Sequence, residues 1–157
     1  MVWAGISSNR RIGPFFFNEH VTGQSYLAML RDQVLPIVEE WDEFDDLVFQ
    51  QDGAPAHYAR DVRSFLDDSF HYWLGRRGTY EWPARSPDLS PADFFLWGYL
   101  KDRVFRVRPQ NVAELQTRIT EEFNAIPQDM IRAACQSLPA RCQLCIDLEG
   151  RQLKLRE

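Results

Sequence analysis

The sequence predicts an α/β fold, and three observations lead to it. Two short β-prone runs come first, Val2–Ile6 and Ile12–Phe17. A third, Leu47-Val48-Phe49, is apolar throughout and becomes polar abruptly before Asp52, the pattern of a strand covered on both faces. The second half is mostly helical in pattern, with apolar residues recurring at three- and four-residue intervals.

Taken in order, Val2–Ile6 predicts a strand, residues 7–11 a turn, and Ile12–Phe17 its hairpin partner. Thr22 is placed to cap a helix whose apolar side carries Tyr26, Leu27, Leu30, Val34, Ile37 and Val38, and Pro36 should kink or divide it. Residues 41–46 form an acidic loop leading into the strand that ends near Asp52. A helix over residues 56–70 would turn Ala59, Val62, Phe65 and Leu66 inward. The Asp67-Asp68 pair then reads as solvated at its end. Thr79-Tyr80-Glu81-Trp82 is again β-prone, and Pro83, Pro87 and Pro91 stiffen the path after it. Ser90 at a cap, Pro91 at the first helical position and Asp93 on the first turn open a helix to about Val104. Asn111-Val112-Ala113-Glu114 predicts a capping box for a helix with Leu115, Ile119 and Phe123 inward. Helices near residues 128–137 and 139–149 follow, Gly150 is a stop, and residues 151–157 read as a frayed tail on a single domain of residues 1–150.

Two carboxylates stand out. Asp52 sits at the carboxyl end of a strand, followed by Gly53 and Pro55, and in open α/β sheets chemistry collects at that edge. Asp-Gly is also plain turn chemistry. Asp93 follows a stiff proline loop at a helix start, where Ser90-x-x-Asp93 equally reads as a capping box favoured by the helix dipole. His57 is open to a phosphate or metal role, or to a local hydrogen bond at a helix start.

Gln51-Asp52-Gly53-Ala54-Pro55-Ala56-His57, the run Trp82 to Asp93 with its Ser-Pro-Asp-Leu-x-Pro-x-Asp signature, and Leu96-Trp97-Gly98-Tyr99-Leu100-Lys101 together resemble a mariner-type (Tc/mariner superfamily) transposase. Val2-Trp3-Ala4-Gly5-Ile6 and Ile12-Gly13-Pro14-Phe15-Phe16 resemble the family's second and third strands, so the likeness covers roughly residues 2–150, the carboxy-terminal part of a DDE/D catalytic domain. The resemblance implies a ribonuclease-H-like mixed sheet flanked by helices, with a helical C-terminal extension. It implies metal-dependent cleavage and transfer of DNA strands, with transposon ends and target DNA as partners, and a nuclear location. Asp52 matches the family's second acid and Asp93 its third, and the two are expected to converge on shared Mg²⁺ or Mn²⁺. Asp88 is the alternative third acid; Asp93 is preferred because the family places that acid after the proline. The 40 residues between Asp52 and Asp93 exceed the interval of the best-known mariner members, and the extra length falls around residues 73–78.

The family's first acid belongs to a strand upstream of Val2–Ile6, the central one of its sheet, and no Asp or Glu precedes Glu19. The expectation is therefore little or no strand transfer by this chain alone, with a non-catalytic DNA-binding remnant or adopted module as the alternative. Without that central strand, Val2–Ile6 is expected either to close against residues 47–51 or to leave exposed backbone that invites self-association. The chemistry itself calls for carboxylates. Phosphodiester cleavage needs an acidified nucleophile and a stabilised leaving oxygen, which two hard divalent ions supply, and such ions prefer oxygen donors to Cys or His.

Composition bounds the rest. At 157 residues and 45% hydrophobic the chain suffices for a core. No apolar run approaches membrane-spanning length, so a membrane partner is not expected. Cys135, Cys142 and Cys145 make no disulfide scaffold, and Cys142-x-x-Cys145 has no second pair for a zinc site. The net charge of −5 is uneven: residues 1–70 hold 5 Lys/Arg against 12 Asp/Glu, whereas residues 71–108 hold 7 against 4. Arg76, Arg77, Arg85, Lys101 and Arg103 in that basic segment suit a phosphate backbone, or form an ordinary solvated face. Tyr72, Trp73, Tyr80 and Trp82 are read as base-stacking candidates or as core and loop anchors.

Overall fold

The computed structural model describes residues 1–83, 85–151 and 153; most of the expected tail, residues 152 and 154–157, lies outside them. In chain order the elements are strands β1 (Val2–Ile6) and β2 (Arg11–Phe16), helices α1 (Gly23–Met29) and α2 (Leu35–Val38), and strand β3 (Val48–Gln50). Helix α3 (Arg60–Ser69), strands β4 (Tyr72–Gly75) and β5 (Tyr80–Glu81), and helices α4 (Trp97–Val104), α5 (Val112–Asn124), α6 (Gln128–Gln136) and α7 (Leu138–Asp147) complete it. They group into two compact units: Met1–Val2 with Phe17–Ser86, and Trp3–Phe16 with Pro87–Glu157.

In the first unit β3, α3 and β4 form a βαβ unit. β3 pairs with β4 in parallel, Val48 opposite Tyr72 and Gln50 opposite Leu74, and β5 extends the sheet beyond β4. Thr22 caps α1 as expected: its hydroxyl accepts the Ser25 N–H at 3.1 Å while Ser25 Oγ accepts the Thr22 N–H at 2.9 Å. Pro36 divides the predicted helix rather than ending it. A π-type turn over Leu30–Val34 precedes it, with the Leu35 N–H reaching back to the Leu30 carbonyl, so the ladder widens just where proline removes a donor. Leu30, Val34 and Leu66 are fully buried in this unit, each contributing about 1.5–3 kcal/mol. Phe49 of β3 meets Phe70 with ring centroids 4.9 Å apart.

The expected helix over residues 56–70 begins four residues late. Residues 55–58 form a turn, the His57 N–H bonds the Ala54 carbonyl at 2.9 Å, and the Gln51 side chain takes the His57 carbonyl at 2.8 Å. That carbonyl is thereby drawn out of a helical ladder. Trp73 is buried, with its indole N–H on Asp67 at 2.8 Å. Asp67 and Asp68 are both exposed, as expected, and Asp67 in addition accepts the indole N–H of Trp73, which is an anchor rather than a base-stacking platform.

In the second unit β1 and β2 form a hairpin whose open ends, Met1 and Phe17 in the first unit, exchange both backbone hydrogen bonds at 3.0 and 2.8 Å, the antiparallel signature. Among the described residues β1 pairs with β2 and not with β3, so the expected closure onto residues 47–51 does not occur. The core gathers Leu96, Leu100, Phe123, Ile126 and Ile131 around Ala4. Arg11 fixes β2 to the end of α5: its guanidinium donates to the carbonyls of Phe123, Asn124 and Ile126 at 2.8–2.9 Å, a cation where the helix dipole is negative. Asn111 caps α5 through Glu114 N–H at 2.9 Å, and Glu114 answers to the Gln110 N–H at 2.7 Å. Helix α7 closes through Glu149, already left-handed at φ +56°, and the expected Gly150 at φ +78°, whose N–H groups return to the Ile146 and Cys145 carbonyls at 2.9 Å each.

Candidate functional site

Asp52 follows directly on β3, in the first unit. Beneath it Gln51 is buried, and its amide ties two neighbours together: Oε1 accepts the Tyr26 hydroxyl at 2.9 Å and Nε2 donates to the His57 carbonyl. The His57 ring also stacks on Tyr26, centroids 4.3 Å apart. This scaffold holds His57 Nδ1 2.6 Å from Asp52 Oδ1. The distance is that of a hydrogen bond, although Nδ1 finds no partner of good direction; at so short a range the ring still acts on the carboxylate. Oδ1 also accepts the Ala54 N–H at 2.9 Å. The His57 contact first, then the Ala54 bond, hold the Asp52 carboxyl below its ordinary range against the opposing effect of partial burial. Asp52 is therefore ionised at neutral pH, with its side chain 51% exposed and Oδ2 unclaimed among the described residues.

Asp93 lies in the second unit and is exposed. It occupies a π-type turn, Ala92–Leu96, that precedes α4, and its N–H bonds the Ser90 carbonyl at 2.8 Å. Single turns of this wide type recur at functional sites. Asp88 is committed elsewhere: Oδ2 accepts the Leu153 N–H and its carbonyl accepts Arg141, both at 3.1 Å. The structure thus gives Asp88 a structural task.

The predicted basic residues fall in both units, Arg76, Arg77 and Arg85 in the first, Lys101 and Arg103 in the second. Arg76 and Arg77 converge on Tyr58, their guanidinium carbons 4.5 and 5.2 Å from its ring centroid. Arg85 is exposed in the same unit, at φ +58°. Lys101 is exposed on α4, while Arg103 lies over Tyr99 and 4.0 Å from Glu122. Sequence reasoning missed Gln51, Tyr26, Tyr58 and Arg63. Only Gln51 carried a signal, a buried-type position between an apolar strand and Asp52.

The donor chemistry fits a hard divalent cation, since Asp52 offers an ionised oxygen. Among the described residues, however, no group of three or more His, Cys, Asp or Glu is placed to hold a metal ion.

No family model matches the chain. It is 36% identical over 109 residues to the Tc1 transposable-element transposase of Caenorhabditis elegans, a match that takes in 68% of the chain and 37% of that transposase. The chain therefore spans well under two thirds of this relative. Among solved structures, the catalytic domain of the mariner transposase Mos1 of Drosophila mauritiana, with raltegravir and Mg, superimposes with a TM-score of 0.81 at 20% identity, covering 98% of this chain and 77% of that one. The Mos1 paired-end complex with the left transposon end also gives 0.81 at 23% identity, covering 98% and 44%. The fold is thus the ribonuclease-H-like α/β fold of that catalytic domain. Together with the motifs around Asp52 and Asp93, these likenesses show that the chain belongs to the Tc/mariner superfamily of transposases and corresponds to part of their catalytic domain.

Proposed function

We propose that this chain is a catalytic-domain part of a protein that cleaves and transfers DNA strands in transposition, working on transposon ends and target DNA in the nucleus. The observation that carries the proposal is Asp52: a strand-end carboxylate kept ionised by His57 and Ala54, with Oδ2 left open. Asp52 and Asp93 take the roles of second and third acids. When bound, Mg²⁺ or Mn²⁺ would acidify the attacking hydroxyl or water and stabilise charge on the leaving oxygen. The chain's own contribution is positional. Gln51 and Tyr26 fix the loop, His57 keeps the Asp52 proton off, and the arginines on Tyr58 supply positive charge for the phosphate backbone.

A second reading for these 157 residues by themselves is DNA binding without turnover, favoured by the observation that no group of three or more His, Cys, Asp or Glu among the described residues is placed to hold a metal ion. Plasmid nicking with Mn²⁺ separates the two. The expected outcome is salt-sensitive DNA binding with negligible nicking; robust nicking that vanishes in Asp52→Ala would overturn the inactivity and retain the site. Self-association is tested by size-exclusion chromatography, where a monomer at all concentrations would exclude it.

A further inference from the structure

Three guanidinium groups gather on Tyr58, the residue after His57. Arg76 and Arg77 stand over its ring. Arg63, in α3, donates its Nε–H to the Tyr58 carbonyl at 3.2 Å and a terminal N–H to the Arg77 carbonyl at 3.3 Å. Crowding like charges is unfavourable and is normally offset by a carboxylate. Among the described residues none of these three arginines forms an ion pair.

The arrangement is also built rather than loose. Gly75 and Gly78 bracket the two arginines, and both press on the Trp73 indole: a Cβ would stand 2.8 Å from the ring at Gly75 and 2.6 Å at Gly78. The Gly75 carbonyl accepts the N–H groups of Gly78 and Trp82, each at 3.2 Å. Arg77 itself adopts φ +61°, a left-handed conformation that costs energy in a residue with a Cβ and persists where its surroundings enforce it. Both guanidinium groups lie within cation–ring distance of Tyr58, whose electron-rich ring favours positive charge there.

We propose that Arg76 and Arg77 form a preassembled grip for the phosphodiester backbone of duplex DNA next to the Asp52 loop, with Tyr58 and Arg63 as positioning residues. The grip rests on the DNA-acting reading above, and charge complementarity selects its occupant: a polyanion suits two guanidinium heads that meet on one ring and form no ion pair among the described residues. Arg63 spends the donors described above on carbonyls, so it braces the grip rather than touching phosphate.

The test is fluorescence anisotropy of a labelled DNA duplex with the whole chain in EDTA, from roughly 50 to 200 mM salt. Arg76→Ala and Arg77→Ala should each flatten the slope of log affinity against log salt by about 0.9, the loss of one phosphate contact. Tyr58→Ala should weaken binding roughly 2–5-fold, the worth of an exposed cation–ring contact, whereas Tyr58→Phe, which keeps the ring, should bind like the parent. Arg132→Ala, whose arginine pairs with Asp129 on α6, serves as the control and should leave the slope unchanged. Unaltered slopes in both arginine variants, or equal weakening by Tyr58→Phe and Tyr58→Ala, would overturn the proposal, as would displacement of the duplex by equimolar inorganic phosphate. With metal chelated, a negative result leaves the cleavage role of Asp52 standing, and a failed nicking assay leaves the grip standing.

Discussion

Replacing Gln51 by Leu should destabilise the first unit by roughly 2–4 kcal/mol. The side chain is 6% exposed and serves two neighbours, the Tyr26 hydroxyl at 2.9 Å and the His57 carbonyl at 2.8 Å. Leucine has similar volume but neither donor nor acceptor, so both groups lose this partner in a region that water reaches poorly. A polar group deprived of its buried partner costs about 1–3 kcal/mol. Tyr26→Phe removes one bond from the other side and should cost about 1 kcal/mol. In the double variant the hydroxyl no longer needs the acceptor, so the two losses should fall short of additivity by 0.5 kcal/mol or more, as contacting pairs do. Urea unfolding followed by tryptophan fluorescence reads all four proteins at constant m-value. A Gln51→Leu loss below about 0.5 kcal/mol, the level of an ordinary surface change, would refute the claim that this amide holds the loop. Strict additivity would refute its coupling to Tyr26.

Further outcomes follow from other parts of the chain. Arg11→Met strips three carbonyls at the end of α5 of a charged donor and should cost about 3 kcal/mol by chemical denaturation. The Asp52 carboxyl is depressed from its ordinary 3.8 by His57, so its contribution is present above that value and fades as pH falls through the lower folded value; Asp52→Asn should flatten that acid limb of the stability curve. Gly78→Ala places a Cβ 2.6 Å from the Trp73 ring and should cost about 1–3 kcal/mol through overpacking, with a shifted Trp emission spectrum.

What was legible in the sequence was local. The caps at Thr22 and Asn111 and the strand-end position of Asp52 each depend on residues within a few positions, and each is found. Strand β4, Tyr72–Gly75, was not legible: it occupies part of the stretch read as extra loop length, and its pairing with β3 is long-range. The late start of α3 was not legible, because the cause is the Gln51 amide drawing the His57 carbonyl out of the ladder. For Trp73 the sequence left base stacking and anchoring open, and the anchor is found; its indole partner Asp67 and the close approach of two glycines are contacts that composition does not reveal. Tyr58 carried no periodic or motif signal at all, since its significance comes from arginines 18 and 19 residues later. The π-type turns at Leu30–Val34 and Ala92–Leu96 were hidden by an apolar spacing that suits an α-helix equally well.

Mn²⁺ titration monitored by paramagnetic broadening of backbone amide signals addresses the metal-bearing carboxylates directly. The reading offered for this chain requires the earliest losses of signal around residues 51–54 and 92–94, with each loss relieved by Asn at position 52 or 93 respectively. Broadening confined to the acidic stretch 42–46, or indifferent to both substitutions, would contradict it.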